Sequence, residues 1–156
     1  MTHAYMPKAI PQRAGKAMLR DAHISPKVAM EIAAHLRGRP VDRALAILER
    51  VLRKEEAIPY RRFTNAVGHR PGPLAAGRYP QKASLEFLKL IKNAKANAAG
   101  LTGDLVVSHV AVNRAAETFR GRAKFRHQGK RAHIECVVTE AGEKREKKVS
   151  RKATKD

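Results

Sequence analysis

Apolar positions recur first at helical spacing and later at alternate positions, and the change of period divides the chain. After Ser25-Pro26, residues Val28, Ala29, Ile32, Ala33 and Leu36 form one stripe that lasts until Gly38. The serine hydroxyl can cap the first free amides and proline suits the first turn, so a helix is predicted there. Beyond Pro40, residues Val41, Ala44, Leu45, Leu48, Val51 and Leu52 recur at three- and four-residue steps, which predicts an amphipathic helix to about Glu56. A third helix is predicted from about Gln81 to Ala98, with Phe87, Leu88, Ile91 and Ala94 inward and "GLTGD" ending it. From Leu105 the period becomes two. Val106, Ser108, Val110 and Val112 alternate with Val107, His109, Ala111 and Asn113; Ile134, Cys136 and Val138 alternate with His133, Glu135, Val137 and Thr139. Such alternation predicts two strands with one face on a core. "KAMLRDAHI" (16–24) is a weaker strand candidate, because alanine, methionine and lysine are poor strand formers.

Two segments fit no such pattern, and both lack acids. "IPYRRFTNAVGHRPGPLAAGRYPQKA" (58–83) carries four prolines, three glycines and five basic residues. No regular element suits that composition, and an irregular loop of this length is usually functional or ordered by a partner. "TFRGRAKFRHQGKRAH" (118–133) holds six Lys or Arg and two Phe between the strand candidates. Arms of roughly a dozen residues at about 3.3 Å each reach on the order of 40 Å. A body of roughly 110 residues has a radius of gyration of only about 13–14 Å. The tip is therefore expected to project. Arg120, Arg122, Lys124 and Arg126 stand at every second position, on one face of a strand. Phe119 and Phe125 are able to stack on unpaired bases, while Gly121 and Gly129 permit close approach or sharp bends.

Charge then decides what such segments meet. The 156-residue chain suits one domain with one modest core, and it has 33 Lys and Arg against 14 Asp and Glu, a formal net charge of +19. Self-repulsion of that size is useful chiefly beside a polyanion, and neutralising phosphates releases condensed counterions. A membrane surface competes as partner, but no apolar run approaches the roughly 20 residues of a span. The start, "MTHAYMPKAIPQRAGK", lacks the apolar stretch of a signal peptide. The expectation is a soluble intracellular polyanion binder. Residues 1–15 are expected to be a flexible arm, 16–140 a single RNA-binding domain, and 141–156 a disordered basic tail.

Catalytic and metal chemistry lack their signatures. The seven histidines form no HExxH and no Cys–His ligand set. His35 reads as a partly exposed filler, and His133 as facing His109 or a neighbouring backbone across the hairpin. Cys136, the lone cysteine, shares its face with Ile134 and Val138 and reads as a buried small hydrophobe. "GHRPGPLAAG" lacks the Gly-Lys-Ser/Thr ending of a phosphate-binding loop, and no serine stands in a nucleophile elbow. No cofactor, metal, small-molecule substrate or enzymatic activity is expected.

Three blocks now stand out in order: "KAMLRDAHISPKVAMEIAAHLRGRPVDRALAILERVL", the run from "GHRPGPLAAGRYPQKAS" through "EFLKLIKNAKANA", and "HVAVNRA" followed by "GRAKFRHQGKRAHIECVVTE". Over about residues 16–140 they resemble the large-subunit ribosomal protein twenty-two family in its archaeal–eukaryotic form. The resemblance implies an α+β fold: three helices packed on a small antiparallel three-stranded sheet, with a long protruding β-hairpin. It implies binding to several segments of large-subunit ribosomal RNA, early assembly, neighbouring ribosomal proteins, and a cytoplasmic place in the large subunit. It also implies a hairpin that lines the exit tunnel and meets the nascent polypeptide.

By position, Ser25, Pro26 and Lys27 match the family's RNA-contact segment. Gly68, His69, Arg70, Gly77, Arg78, Tyr79 and Lys82 match its RNA-facing loop, and Gly121, Arg122, Ala123 and Lys124 resemble the "GRA" portion near the tip. This sequence lacks the "PRA" triplet usual before that portion. Lys16, Arg20, Arg61, Arg62, Arg114, Lys130 and Arg131, with Arg120 and Arg126, complete the candidate RNA-binding set. Phe119, Gly121, Arg122, Lys124 and Phe125 are the candidates for the tunnel-facing tip. The alternative is a free-standing basic nucleic-acid binder or RNA chaperone.

Overall fold

The computed structural model describes residues 5–7, 13–101, 103–119 and 128–141. In chain order the elements are β1 (Gly15–Ala22), α1 (Pro26–Leu36), α2 (Val41–Leu52), β2 (Ile58–Pro59), β3 (Gly77–Arg78) and α3 (Gln81–Asn97). There follow β4 (Leu105–Arg114), β5 (Thr118–Phe119), β6 (Gln128–Gly129) and β7 (Ala132–Glu140). The main sheet is antiparallel in the order β1-β7-β4, with the three helices against it. This is the α+β arrangement expected. Short β5 and β6 continue the pairing outward, Thr118 opposite Gly129 and Phe119 opposite Gln128. The joining residues 120–127, and with them Arg120, Gly121, Arg122, Lys124, Phe125 and Arg126, lie outside the described residues, as does 142–156.

β7 takes the centre because both of its faces are covered. Ile134, Cys136 and Val138 are fully buried toward Ile32, Leu36, Leu48, Phe87 and Ile91. Each large apolar side chain enclosed there contributes about 1.5–3 kcal/mol. Burial also pushes the Cys136 thiol up to about 12, so it remains a protonated hydrophobe, as its pattern suggested. On the opposite face Glu135, Val137 and Thr139 are buried as well. The Met6 backbone N–H donates to both Glu135 carboxylate oxygens, at 3.1 and 3.2 Å, and His109 Nε2 lies 3.0 Å from one of them.

Strict alternation in β4 is broken. Val107 and Val110 both reach the core, whereas Val106 and Ser108 are half-buried. Val107 pairs with Val138 and His109 with Val137, which leaves Ser108 as the extra residue of a bulge. Its hydroxyl donates to the Val137 carbonyl at 2.9 Å. The cause lies on the free edge of β4: Gly38, at φ +80, aims its N–H at the Val107 carbonyl, and Val107 N–H donates to the Arg39 carbonyl. The α1–α2 link thus fixes the strand before the bulge.

Helix ends differ from expectation in two places. Ser25 occupies the N-cap position of α1, but its hydroxyl makes no capping bond; its carbonyl accepts from Ala29 N–H at 3.0 Å. α2 stops at Leu52 rather than near Glu56, because Lys54 turns to φ 63 and the Glu55 N–H folds back to the Arg50 carbonyl. Arg50 Nε then meets the Glu56 carboxylate at 2.7 Å. The interval 58–83 also holds more order than its composition indicates. Residues 75–78 run between 58–60 and 68–70: Tyr60 N–H donates to Ala76 O, Arg70 N–H to Ala75 O, and Ile58 pairs with Arg78.

Gly15 is where β1 touches α3. A Cβ there would stand 2.3 Å from the Ala94 carbonyl and 2.6 Å from the Ala98 Cβ. Gly15→Ala is expected to lower the unfolding free energy by about 1–3 kcal/mol, the usual cost of overpacking. Urea titration checks this, and an unchanged midpoint would mean that β1 and α3 are not in such close contact.

Candidate nucleic-acid interface

A buried acid builds the basic surface. Glu31 sits on α1 with 4 % of its surface exposed, and its carboxylate accepts three backbone N–H groups: Arg61 at 3.1 Å, Arg62 at 2.9 Å and Phe63 at 2.7 Å. Three amides converging on one carboxylate fix the chain as it leaves β2. The side chains of Arg61 and Arg62 are thereby turned outward, and both residues are exposed.

Next to this clamp lies a cleft of about 230 Å³ lined by Ser25, Lys27, Tyr60, Arg62, Phe63 and Arg78, with Val28, Asn65 and Val67. Lys27 Nζ and the Arg62 guanidinium lie 5.5 and 5.4 Å from the centre of the Phe63 ring. Arg78 lies 5.9 Å from the Tyr60 ring, and Arg70 lies 4.9 Å from the Tyr79 ring. These are cation–π distances. Carbonyls supply the remaining restraint, with Arg78 Nη2 donating to Ala66 O at 2.6 Å and Arg70 Nε to Gly77 O at 3.3 Å. Among the described residues, the ion pairs Arg50–Glu56, Lys89–Glu86, Lys95–Asp42 and His109–Glu135 involve none of these cations. A cation held by rings and carbonyls keeps its full charge for an outside anion. The surface sets cations among aromatic faces, a combination whose chemistry suits phosphates and bases.

The structure thus brings Ser25, Lys27, Arg62 and Arg78 together, places Arg61 just beside them, and sets Arg70 against Tyr79. His69 bridges to Ala76 and is exposed, and Lys82 is exposed in the first turn of α3. Other candidates stand elsewhere. Lys16 lies on β1, its carbonyl accepting from Asn97 Nδ2 at 2.7 Å. Arg20 lines a separate depression with Tyr5, Met6, Met18, Asp21, Asn113, His133 and Glu135. Arg114 and Lys130 are exposed at the outer end of the β4–β7 pairing, next to the half-buried Arg131.

His133 does accept from a neighbouring backbone, the Asp21 N–H at 3.2 Å, but that neighbour is β1 rather than the hairpin partner. His109 pairs with Glu135 instead. Among the described residues no group of three His, Cys, Asp or Glu is placed to hold a metal ion. None of the described helices is long and apolar enough to cross a membrane.

Sequence reasoning missed Glu31, Phe63, Arg37 and Arg39. Glu31 looked like one of several scattered acids. Its useful signal was an acid one position from the apolar stripe of α1, followed thirty residues later by "RRF" near the start of an acid-free run.

Comparison with known proteins supplies an independent line. The family model described as "Ribosomal protein L22p/L17e" matches residues 17–139. The protein named "Large ribosomal subunit protein uL22" from Ignicoccus hospitalis is 41 % identical over 144 residues, covering 83 % of this chain and 90 % of the relative. The protein of the same name from Methanopyrus kandleri is 46 % identical over 110 residues, covering 66 % of this chain and 69 % of the relative. The one from Thermoplasma acidophilum is 41 % identical over 137 residues, covering 82 % and 89 %.

Proposed function

The chain belongs to the family Ribosomal protein L22p/L17e, and from that premise we propose how its basic surfaces serve a ribosome. It is a structural constituent of the large ribosomal subunit, in the cytoplasmic ribosome, and is not an enzyme. Its partners are ribosomal RNA and neighbouring ribosomal proteins. The observation that carries the mechanism is the set of lysines and arginines between 25 and 82 that are positioned by aromatic rings and carbonyls.

Where RNA segments converge, their phosphates repel. Cations of fixed position offset that repulsion and release counterions, while the folded body supplies shape. In this reading 16–140 is the RNA-binding domain, Lys27, Arg62, Arg70 and Arg78 grip one RNA segment, and the β4–β7 ribbon reaches another. The basic 141–156 tail adds charge. Binding at several segments makes the protein an aid to assembly as well as a constituent of the finished particle.

The same reading carries the hairpin into the wall of the polypeptide exit tunnel, with Phe119 and the residues after it toward the nascent chain. Phe119 is 73 % exposed at the outermost described pair, and its own fold leaves it uncovered. A photo-crosslinking phenylalanine analogue at Phe119, in ribosomes stalled on a radiolabelled nascent chain, is expected to yield a crosslink to that chain. Crosslinks to RNA or neighbouring proteins alone, across a series of nascent lengths, would reject the tunnel placement.

A further inference from the structure

At the C-terminal end of α1, a second depression of about 210 Å³ is lined by His35, Arg37, Arg39 and Arg61, with Glu31, Ala34 and Pro59. Its arginines are aimed without carboxylates. Arg37 Nη2 donates to the Val110 carbonyl at 2.6 Å, and Arg39 Nε to the His35 carbonyl at 2.7 Å. The Glu31 carboxylate is the one acid on the lining, and it is occupied by the 61–63 amides. Glu56, which also acts on His35, is engaged by Arg50.

His35 shows what is missing. Arg39 Nη2 stands 3.5 Å from His35 Nδ1, and a guanidinium can only donate, so this contact is a hydrogen bond only in the tautomer whose Nδ1 accepts. In that tautomer the proton of the neutral ring is on Nε2, which is buried and has no partner. Burial and the Arg39 charge both lower the basicity of this histidine, consistent with a neutral ring. The depression thus offers guanidinium donors on its sides, and its one carboxylate is taken up by the 61–63 amides. It lacks a free anion for its guanidiniums.

We propose that this depression is a clamp for a single backbone phosphate of the ribosomal RNA, gripped by the guanidiniums of Arg37, Arg39 and Arg61. The proposal rests on the RNA-binding reading above and adds to it a site outside the 58–83 loop residues first singled out. Arg37 and Arg39 flank Gly38, whose φ of +80 directs the link against β4, so the turn that ends α1 also sets two of the three guanidiniums.

The test uses the full-length protein and transcribed large-subunit ribosomal RNA, with affinity measured over a range of salt. Arg39→Gln and Arg61→Gln are each expected to weaken binding and to reduce the slope of log K against log salt by less than one phosphate contact, about 0.7–0.9, because the remaining guanidiniums keep part of the grip. The double variant is expected to lose about one contact and no more, since both grip the same phosphate. Arg61→Gln guards against misfolding, because among the described residues no hydrogen bond of the Arg61 guanidinium ties it to the fold. In the wild type, the nitrogen resonances of the His35 ring are expected to shift when RNA is added. A wild-type slope retained in the double variant, or a loss of two full contacts, would overturn the clamp while leaving RNA binding intact. A wild type without steep salt dependence would overturn the RNA-binding reading and the clamp with it.

Discussion

Replacing Glu31 with alanine is expected to cost about 2–4 kcal/mol of stability, because three backbone amides lose a charged acceptor at once. In a chain of this size that corresponds to a melting temperature lower by about 5–15 °C. Arg61 and Arg62 are exposed, so water takes up part of the loss, and the estimate stays below the sum of three charged hydrogen bonds. Glu31→Gln keeps one acceptor oxygen but turns an amide donor toward backbone donors, and is expected to fall between the two. Hydrogen exchange localises the effect: amides 61–63 and the 58–60 to 75–78 pairing are expected to lose protection first. A melting temperature within a degree or two of wild type would show that the clamp does not hold the loop.

The second large effect is electrostatic. Six to ten phosphate contacts are expected to weaken binding to large-subunit ribosomal RNA by about 10³–10⁵ between 50 and 200 mM salt. Lys27, Arg62, Arg78 and Arg70 supply up to four contacts and the three-arginine depression one, and the exposed Lys82, Arg114 and Lys130 bring the number into this range. Binding measured by filter retention across that interval checks the figure. A change of less than tenfold would mean that apolar or base contacts dominate, and that the unpaired arginines point away from RNA.

The fold was legible where one residue type repeated at one period. The stripes of α1 and α2, the inward face of α3 and the Ile134–Cys136–Val138 face of β7 need only local spacing. Ser108 was not legible, since its bulge is imposed by the backbone of residues 38–40, far away in sequence. The three-part pairing inside 58–83 was hidden by four prolines, because its bonds come from non-proline positions such as Tyr60, Arg70 and Ala76.

The candidate site divides in the same way. That the loop is basic and aromatic could be read directly; which cation meets which ring could not, because that depends on how Glu31 anchors residues 61–63. Arg37 and Arg39 escaped notice because two arginines around a glycine, at a helix end, look like solvated charge. Only their carbonyl partners and the unsatisfied His35 nitrogen give them a direction.

The central claim is that this chain exists as a fixed part of the large subunit. The most direct measurement follows an affinity-tagged copy, produced in cells of the native host, through a sucrose gradient after a wash at about 0.5 M salt, where surface charges are screened beyond a few ångströms. The account predicts near-complete recovery with the large subunit and with whole ribosomes. A predominantly slow-sedimenting pool, stripped from the particles by the wash, would contradict it and favour a free-standing RNA binder.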